Sequence, residues 1–492
     1  MKQSSLKRAG GGYAYRHGAA ALLAALACTG CAVGPDFQRP QAPVVDSYTR
    51  APLPAMNTSA ALKVDRQWWT AFGSPALNAL VERAFQHNPS IASAQAALRQ
   101  AQESTAAQWG SYFPIIQAGY TPSRQKNAVG TISPTLTSGA PLYTLHTAQL
   151  SISYAPDVFG LNRRTVESLG AQEETQRYQL QAAYLTLASN VVAAAIQQAA
   201  LNAQIHATEA VIAAAAQSLA SLHRQAELGF ATGLDVAAQE TALAQAQLSL
   251  PPLLKQLEQT RDLLAVLTGS FPSQGGVDDI ALEALQLPAT LPASLPSQLV
   301  DQRPDVRAAE AQMHAASAQV GVAAANRLPQ LSISALYGGS ATQFSKMFSD
   351  DNKFWGLTGN VTQTVFDFGT LLHRKRAADA ALDQAAAQYR SVVLSAFQNV
   401  ADTLYALDAD AKSLSASVAA EVAARKTLDM TQQQLALGFV NSLVLLNAEQ
   451  AYQQASIARI QAQATRYTDT AALFQALGGG WEGEKEGLST AM

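Results

Sequence analysis

Four short stretches of the chain alternate apolar and polar residues with a period of two, the spacing of a strand with two unlike faces. Ile116, Ala118 and Tyr120 alternate with Gln117, Gly119 and Thr121, and Leu150, Ile152 and Tyr154 alternate with Ser151 and Ser153. Further on, Leu331 and Ile333 alternate with Ser332 and Ser334, and Leu357 and Val361 with Thr358, Asn360, Thr362 and Thr364. The pattern predicts strands at about 115–124, 148–158, 330–340 and 356–366. Aromatic residues mark their ends: Phe113, Phe159, Trp355, Phe366 and Phe368. An apolar face bounded by aromatics and a small, polar opposite face is the pattern of a membrane barrel strand. A soluble two-sheet sandwich alternates in the same way. Four strands cannot close a barrel, and lipid does not tolerate open strand edges. The barrel reading therefore requires several chains to share one barrel.

After the second strand the period lengthens. Leu180, Tyr184, Leu187, Val191, Ala194, Gln198, Leu201, Ile205, Thr208, Ile212, Ala215, Leu219 and Leu222 step by four and three in turn, and no proline lies between Asn162 and Leu228. This is the repeat of a left-handed supercoil. At 1.5 Å per residue the predicted helix reaches about 100 Å, enough to cross a wide aqueous gap. A rod-like scaffold would show the same periodicity. The helix stops at Leu228-Gly229-Phe230, where Gly229 suits a C′ position with positive φ.

The chain is written twice. Asn88-Pro89 and Phe113-Pro114 reappear as Arg303-Pro304 and Leu328-Pro329, both 215 residues on. Phe159-Gly160, Leu228-Gly229-Phe230 and Glu240 reappear as Phe368-Gly369, Leu437-Gly438-Phe439 and Glu449, all 209 on. Each copy reads as a helix, two strands, a very long helix, a tip and a long return helix. The copies span 76–269 (tip about 228–234) and 304–477 (tip about 437–443). Between them, residues 270–303 are rich in helix-breaking proline and suit a linker. Residues 31–75 read as an extended N-terminal segment, and the triple glycine at 478–480 opens a charged tail to 492. The predicted fold class is thus an α/β membrane protein built from a duplicated helix–strand–strand–long helix–helix repeat.

Composition narrows the function. Only 14% of residues are charged, against roughly 25% in soluble domains, and Ala supplies much of the apolar share. Such a chain builds long, closely packed helices. The net charge of −3 offers no basic footprint for nucleic acid. The seven histidines are scattered, and neither a phosphate-binding loop nor a hydrolase or metalloprotease motif is present, so neither an enzyme nor a cofactor or metal is expected. Both cysteines lie in the first 31 residues. Lys2, Lys7, Arg8 and Arg16 followed by the apolar run Gly18–Ala27 read as a signal peptide over 1–30. Thr29-Gly30-Cys31 has the form of a lipoprotein cleavage site, which would make Cys31 an acylated N-terminus; an ordinary secretory leader cut nearby is the other reading.

With leader, duplication, strand pairs and tips together, the sequence resembles the TolC-like outer membrane factor family, in its NodT-type lipoprotein branch. The resemblance rests on Cys31-Ala32-Val33-Gly34-Pro35-Asp36-Phe37, Trp68-Trp69 with Phe72, Arg303-Pro304-Asp305-Val306-Arg307-Ala308-Ala309-Glu310, and the two tips. It implies a homotrimer whose twelve strands close one β-barrel, continuous with a long periplasmic α-barrel. It implies an exit duct in the outer membrane for drugs or small solutes, served by a periplasmic adaptor and an inner-membrane pump of the RND type. Adaptor docking is carried onto Leu228, Gly229, Phe230 and Ala231 and onto Leu437, Gly438, Phe439 and Val440. The periplasmic gate is carried onto Asp235, Leu443, Val444 and Asn447. Relatives often place two aspartates at the positions of Val444 and Asn447, so this gate is expected to be more apolar and less attractive to cations. Asp235 also reads as an ordinary carboxylate at a helix N-terminus. Two other readings remain: an exit duct for protein secretion, and a periplasmic coiled-coil adaptor lipoprotein.

Overall fold

Pleat, proline and helix caps decide where the elements begin and end. The computed structural model describes residues 32–50, 58–59, 64–126, 142–274, 279–288, 290–292 and 296–480. The expected signal peptide, Cys31 and the tail beyond residue 480 lie outside the described residues. In the first copy, helices α1 (Pro75–His87) and α2 (Pro89–Trp109) lead to strands β1 (Ile115–Lys126) and β2 (Leu142–Tyr154), then to α3 (Leu161–Glu227) and α4 (Gly233–Leu267). After α5 (Pro296–Gln302), between the copies, the second has α6 (Pro304–Ala325), strands β3 (Gln330–Ala341) and β4 (Lys353–Thr362), then α7 (Thr370–Ala436) and α8 (Ser442–Ala476). The duplication holds to the residue: α3 and α7 are both 67 residues long, α4 and α8 both 35.

Two strands differ from the sequence pattern at both ends. The strand expected at 148–158 runs instead from Leu142 to Tyr154. Pro156 has no amide to donate, and the Asp157 carboxylate accepts the amides of Asn162 (3.0 Å) and Arg163 (2.8 Å), turning the chain into α3. The strand expected at 356–366 runs instead from Lys353 to Thr362. Its neighbour β3 begins at Gln330, opposite Thr362, just after the donor-less Pro329. Within the proline-rich stretch 270–303, expected to be a linker, residues 296–302 form α5. Pro296 stands at its first position, where a missing amide costs nothing. The pair Pro251-Pro252 lies inside α4, which the sequence reading had not singled out.

The chain divides into two units. One draws on Met1–Arg39, Arg99–Glu174 and Ala311–Ala387, the other on Pro40–Leu98, Thr175–Glu310 and Gln388–Met492. The first unit holds an antiparallel sheet in the order β1-β2-β3-β4, so β1 and β4 are its edges. The second holds the main core. There Trp68 stacks on Phe474 with ring centres 5.4 Å apart, Phe72 lies near Tyr467, and the Tyr467 hydroxyl donates to the Leu285 carbonyl at 2.7 Å. Every α3 seam residue from Leu180 to Leu222 is buried or half-buried.

Pseudo-symmetry extends to single hydrogen bonds in the second unit. Where α4 ends, the Asn88 side-chain amide donates to the Leu267 carbonyl at 2.8 Å; where α8 ends, the Arg303 guanidinium donates to the Ala476 carbonyl at 3.0 Å. The glycines that follow, Gly269 and Gly478, have positive φ, and a Cβ on either would strike a backbone carbonyl, that of His87 at 2.3 Å or of Gln302 at 2.4 Å. Both ends therefore demand glycine for conformation and for space.

Candidate channel sheet and hairpin tips

The register of the sheet turns the sequence alternation into surfaces. Ile116 pairs with Ile152, Ile152 with Ala335, and Ala335 with Leu357; one step along, Ala118, Leu150, Tyr337 and Trp355 form the next row. These rows occupy one face, because side chains two apart along a strand share a face. Rows of the opposite face are Ile115-Ser153-Ser334-Thr358 and Gln117-Ser151-Leu336-Gly356, smaller and more polar. The apolar face is bare: Ile116 is 64% exposed, Leu357 69% and Trp355 78%. Apolar rows this exposed mark an interaction surface in a soluble protein, or a lipid-facing one. Trp355, expected at a strand end, sits within β4, whereas Phe113, Phe366 and Phe368 lie outside the strands and are exposed. Among the described residues only α3 has an 18-residue window apolar enough to cross a membrane (mean hydropathy 1.2), and half of that window is buried, as in a core helix.

Close to the sheet, still in the first unit, the segment after Cys31 is tied down. The Val33 amide donates to the Phe159 carbonyl at 3.2 Å. Arg164 donates to the Val33 carbonyl at 3.2 Å and pairs with Asp36 and Glu167 at 2.6 and 2.7 Å. Phe37 stacks on His314 at 4.4 Å, and His314 meets Glu167 at 3.0 Å. The sequence had marked residues 31–37 as a motif; their receptor, Arg164, carries no local signal.

Both tips are built alike. The amide of Phe230 donates to the Gln225 carbonyl and that of Gly229 to Ala226; Phe439 and Gly438 repeat this on Gln434 and Leu435. This is a Schellman closure with glycine at C′, at φ +79° and +75°. It leaves Leu228, Phe230, Leu437 and Phe439 70–82% exposed, with Ala231 and Val440 half-buried beside them. Among the described residues no hydrogen bond or ion pair joins the two tips. The nearest such link between the hairpins is a 3.4 Å contact from the Ser218 hydroxyl to Glu449, whose carboxyl burial pushes above its ordinary value. Its counterpart Glu240 faces His223 at 3.7 Å.

Asp235 is the third residue of α4 and closes a capping box with Thr232. Hydrogen bonds from the Thr232 hydroxyl and amide hold its carboxyl below the usual range. At the same place in the second tip stands Val444, whose amide donates to the Asn441 side chain at 3.2 Å. Leu443, Val444 and Asn447 are exposed.

A four-stranded sheet with one bare apolar face and two free edges, on a chain that also carries two very long helical hairpins, defines one subunit of an outer-membrane duct. The comparisons agree. The chain belongs to the outer membrane efflux protein family, which it matches over residues 80–270 and 295–479. It is 30% identical to the pyoverdine export outer membrane protein OpmQ of Pseudomonas putida, over 85% of this chain and 89% of that one. It is 27% identical to the outer membrane protein OprJ of Pseudomonas aeruginosa, over 94% and 96%. The solved structure of the outer-membrane channel OprN superposes with a TM-score of 0.84 at 28% identity, covering 92% of this chain and all of that one. The protein is an outer-membrane efflux channel, with the β-barrel and long helical barrel fold expected from its sequence.

Proposed function

We propose that three copies close one barrel of twelve strands, and that the duct passes small solutes delivered by a periplasmic adaptor and an inner-membrane pump of the RND type. The observation that carries this is the pair of edges, β1 and β4, on a sheet whose apolar rows are exposed. Open edges in lipid leave backbone groups without partners, and pairing β4 of one chain with β1 of the next removes them. The cargo is drugs or other small solutes, in keeping with relatives named for pyoverdine export and for antibiotic and toluene efflux. The protein performs no chemistry on that cargo. The exposed Leu-Gly-Phe tips receive the helical hairpins of the adaptor, their apolar side chains being covered on docking. Cys31 carries the lipid anchor, and two or more acyl chains there make it durable.

Cysteines placed on β1 and β4 test the assembly. Oxidised protein runs as a covalent trimer if the edges meet between chains; a ladder ending at the monomer contradicts it. A Cys31→Ser variant that no longer takes up labelled palmitate identifies the anchor.

A further inference from the structure

The 209-residue offset gives each position of α7 and α8 a counterpart in α3 and α4. Glu240 and Glu449 are such a pair, the same acid on the two return helices. In the first hairpin Glu240 faces His223 of α3, 3.7 Å away. The counterpart of His223 on α7 is Gln432. The second hairpin thus keeps the acid and lacks the cation. Among the described residues only the Ser218 hydroxyl bonds Glu449, on Oε1 at 3.4 Å, and no lysine, arginine or histidine pairs with it.

Where the histidine is missing there is space. Between α3, α7 and α8, all in the second unit, lies a cavity of about 160 Å³. Glu449 and Gln432 stand on its wall, and the rest of the lining is chiefly apolar, including Val211 and alanines of α3, Leu428 of α7 and Tyr452 of α8. A cavity of about 150 Å³ holds one benzene ring. The Tyr452 ring is fixed by its hydroxyl, which accepts from Arg425 at 3.0 Å. Arg425 also pairs with Asp429 at 3.4 Å, so this cation is committed elsewhere.

A half-buried carboxylate gives up hydration and recovers it only from charge or from hydrogen-bond donors. One long bond from a hydroxyl supplies little of that, and burial pushes the Glu449 carboxyl above its ordinary value. A metal ion fits poorly, because among the described residues no three of His, Cys, Asp or Glu come together to hold one. A cation with an apolar body matches both the acid and the lining.

We propose that the cavity between α3, α7 and α8 binds small organic monocations, an ammonium pairing with Glu449 where the first hairpin has His223, and an apolar group the size of one ring resting against Val211, Leu428 and Tyr452. The ligand class is an amine on a short alkyl or aryl body. The site lies along the hairpins rather than at their tips. It concerns binding alone and stands whether or not three chains share a barrel.

The probe is benzylamine, charged at neutral pH, with benzyl alcohol as its neutral counterpart of the same size. Saturation-transfer NMR titrates each against the full-length protein in detergent. Benzylamine binds saturably and about tenfold tighter than the alcohol, the worth of a partly desolvated charge-assisted hydrogen bond. Glu449→Gln, close to the native side chain in size, weakens benzylamine to the level of the alcohol. Gln432→Lys, at an exposed position, supplies an internal ammonium and does the same, so it decides the matter if Glu449→Gln fails to fold. Glu240→Gln leaves benzylamine binding unchanged. The site is overturned if the wild type shows no saturable binding, if the alcohol binds as tightly as the amine, or if either cavity variant keeps wild-type affinity. It is overturned equally if Glu240→Gln weakens benzylamine as much as Glu449→Gln does. Channel formation is not read, so each of these outcomes leaves the channel reading intact.

Discussion

The carboxylate of Asp235 accepts both the amide of Thr232, at 2.9 Å, and its hydroxyl, at 2.7 Å, while the residue at the same place in the second tip is Val444. One acid at the tip is thus committed to starting a helix, and the other is absent. The two hairpins begin their return helices by different chemistry, Thr232 with Asp235 in one and Asn441 alone in the other.

The capping box titrates. Because the Asp235 carboxyl lies below the ordinary aspartate range, its support for α4 is present above that range and is lost as pH falls through its folded value. Thr232→Ala removes the side-chain acceptor, and hydrogen exchange in the first turn of α4 accelerates about fivefold, the usual worth of an N-cap. The first turn of α8 is unaffected. Equal acceleration in both helices would show that the caps do not act locally.

Cation sensitivity follows from what is missing. With Val444 and Asn447 in place of acids, the wild-type conductance responds weakly to divalent cations. The double variant V444D/N447D sets six carboxylates around a three-fold entrance, and its half-blocking concentration falls by about tenfold or more, since clustered charge concentrates counterions. Strong block of the wild type at low divalent concentration would contradict an apolar gate.

The two faces of the sheet predict unequal tolerance. Leu150 lies in the apolar row with Ala118 and Tyr337, and the next residue, Ser151, faces the other way. Leu150→Lys puts a charge toward lipid at a cost of about 2–4 kcal/mol if near mid-membrane. Ser151→Lys faces the lumen and costs much less. Heat-modifiable migration on gels reads the folded fraction of each; a reversed order would invert the barrel.

Much of this was legible because burial and pleat act through simple periods. The α3 seam was read from a 3.5-residue repeat, and Val191, Leu201 and Ile205 are buried as it requires. The strand faces followed from alternation alone, although β2 and β4 end where Asp157 caps a helix and where Pro329 withholds an amide. Tertiary hydrogen bonds were not legible. Nothing near Arg303 in sequence announces the Ala476 carbonyl, 173 residues away, and nothing near Arg164 announces Val33. The acid without a cation, Glu449, left a trace, His223 against Gln432, visible only once the copies are aligned along their whole length.

Arg303 tests how far that pseudo-symmetry is structural. It is nearly buried, paired with Asp305 at 2.6 Å and bonded to the end of α8. Arg303→Asn, which mimics Asn88, keeps the carbonyl bond in reach and lowers the melting temperature less than Arg303→Leu. The latter leaves the carbonyl unpaired at a cost of about 1–3 kcal/mol. Equal losses would mean that the bond to Ala476 contributes nothing.

The sharing of one barrel among three chains is tested most directly by the mass of the detergent-purified mature protein, followed by its single-channel conductance in a planar bilayer. A trimer with small, gated conductance is the expected result. A soluble monomer with no channel activity would contradict the shared barrel.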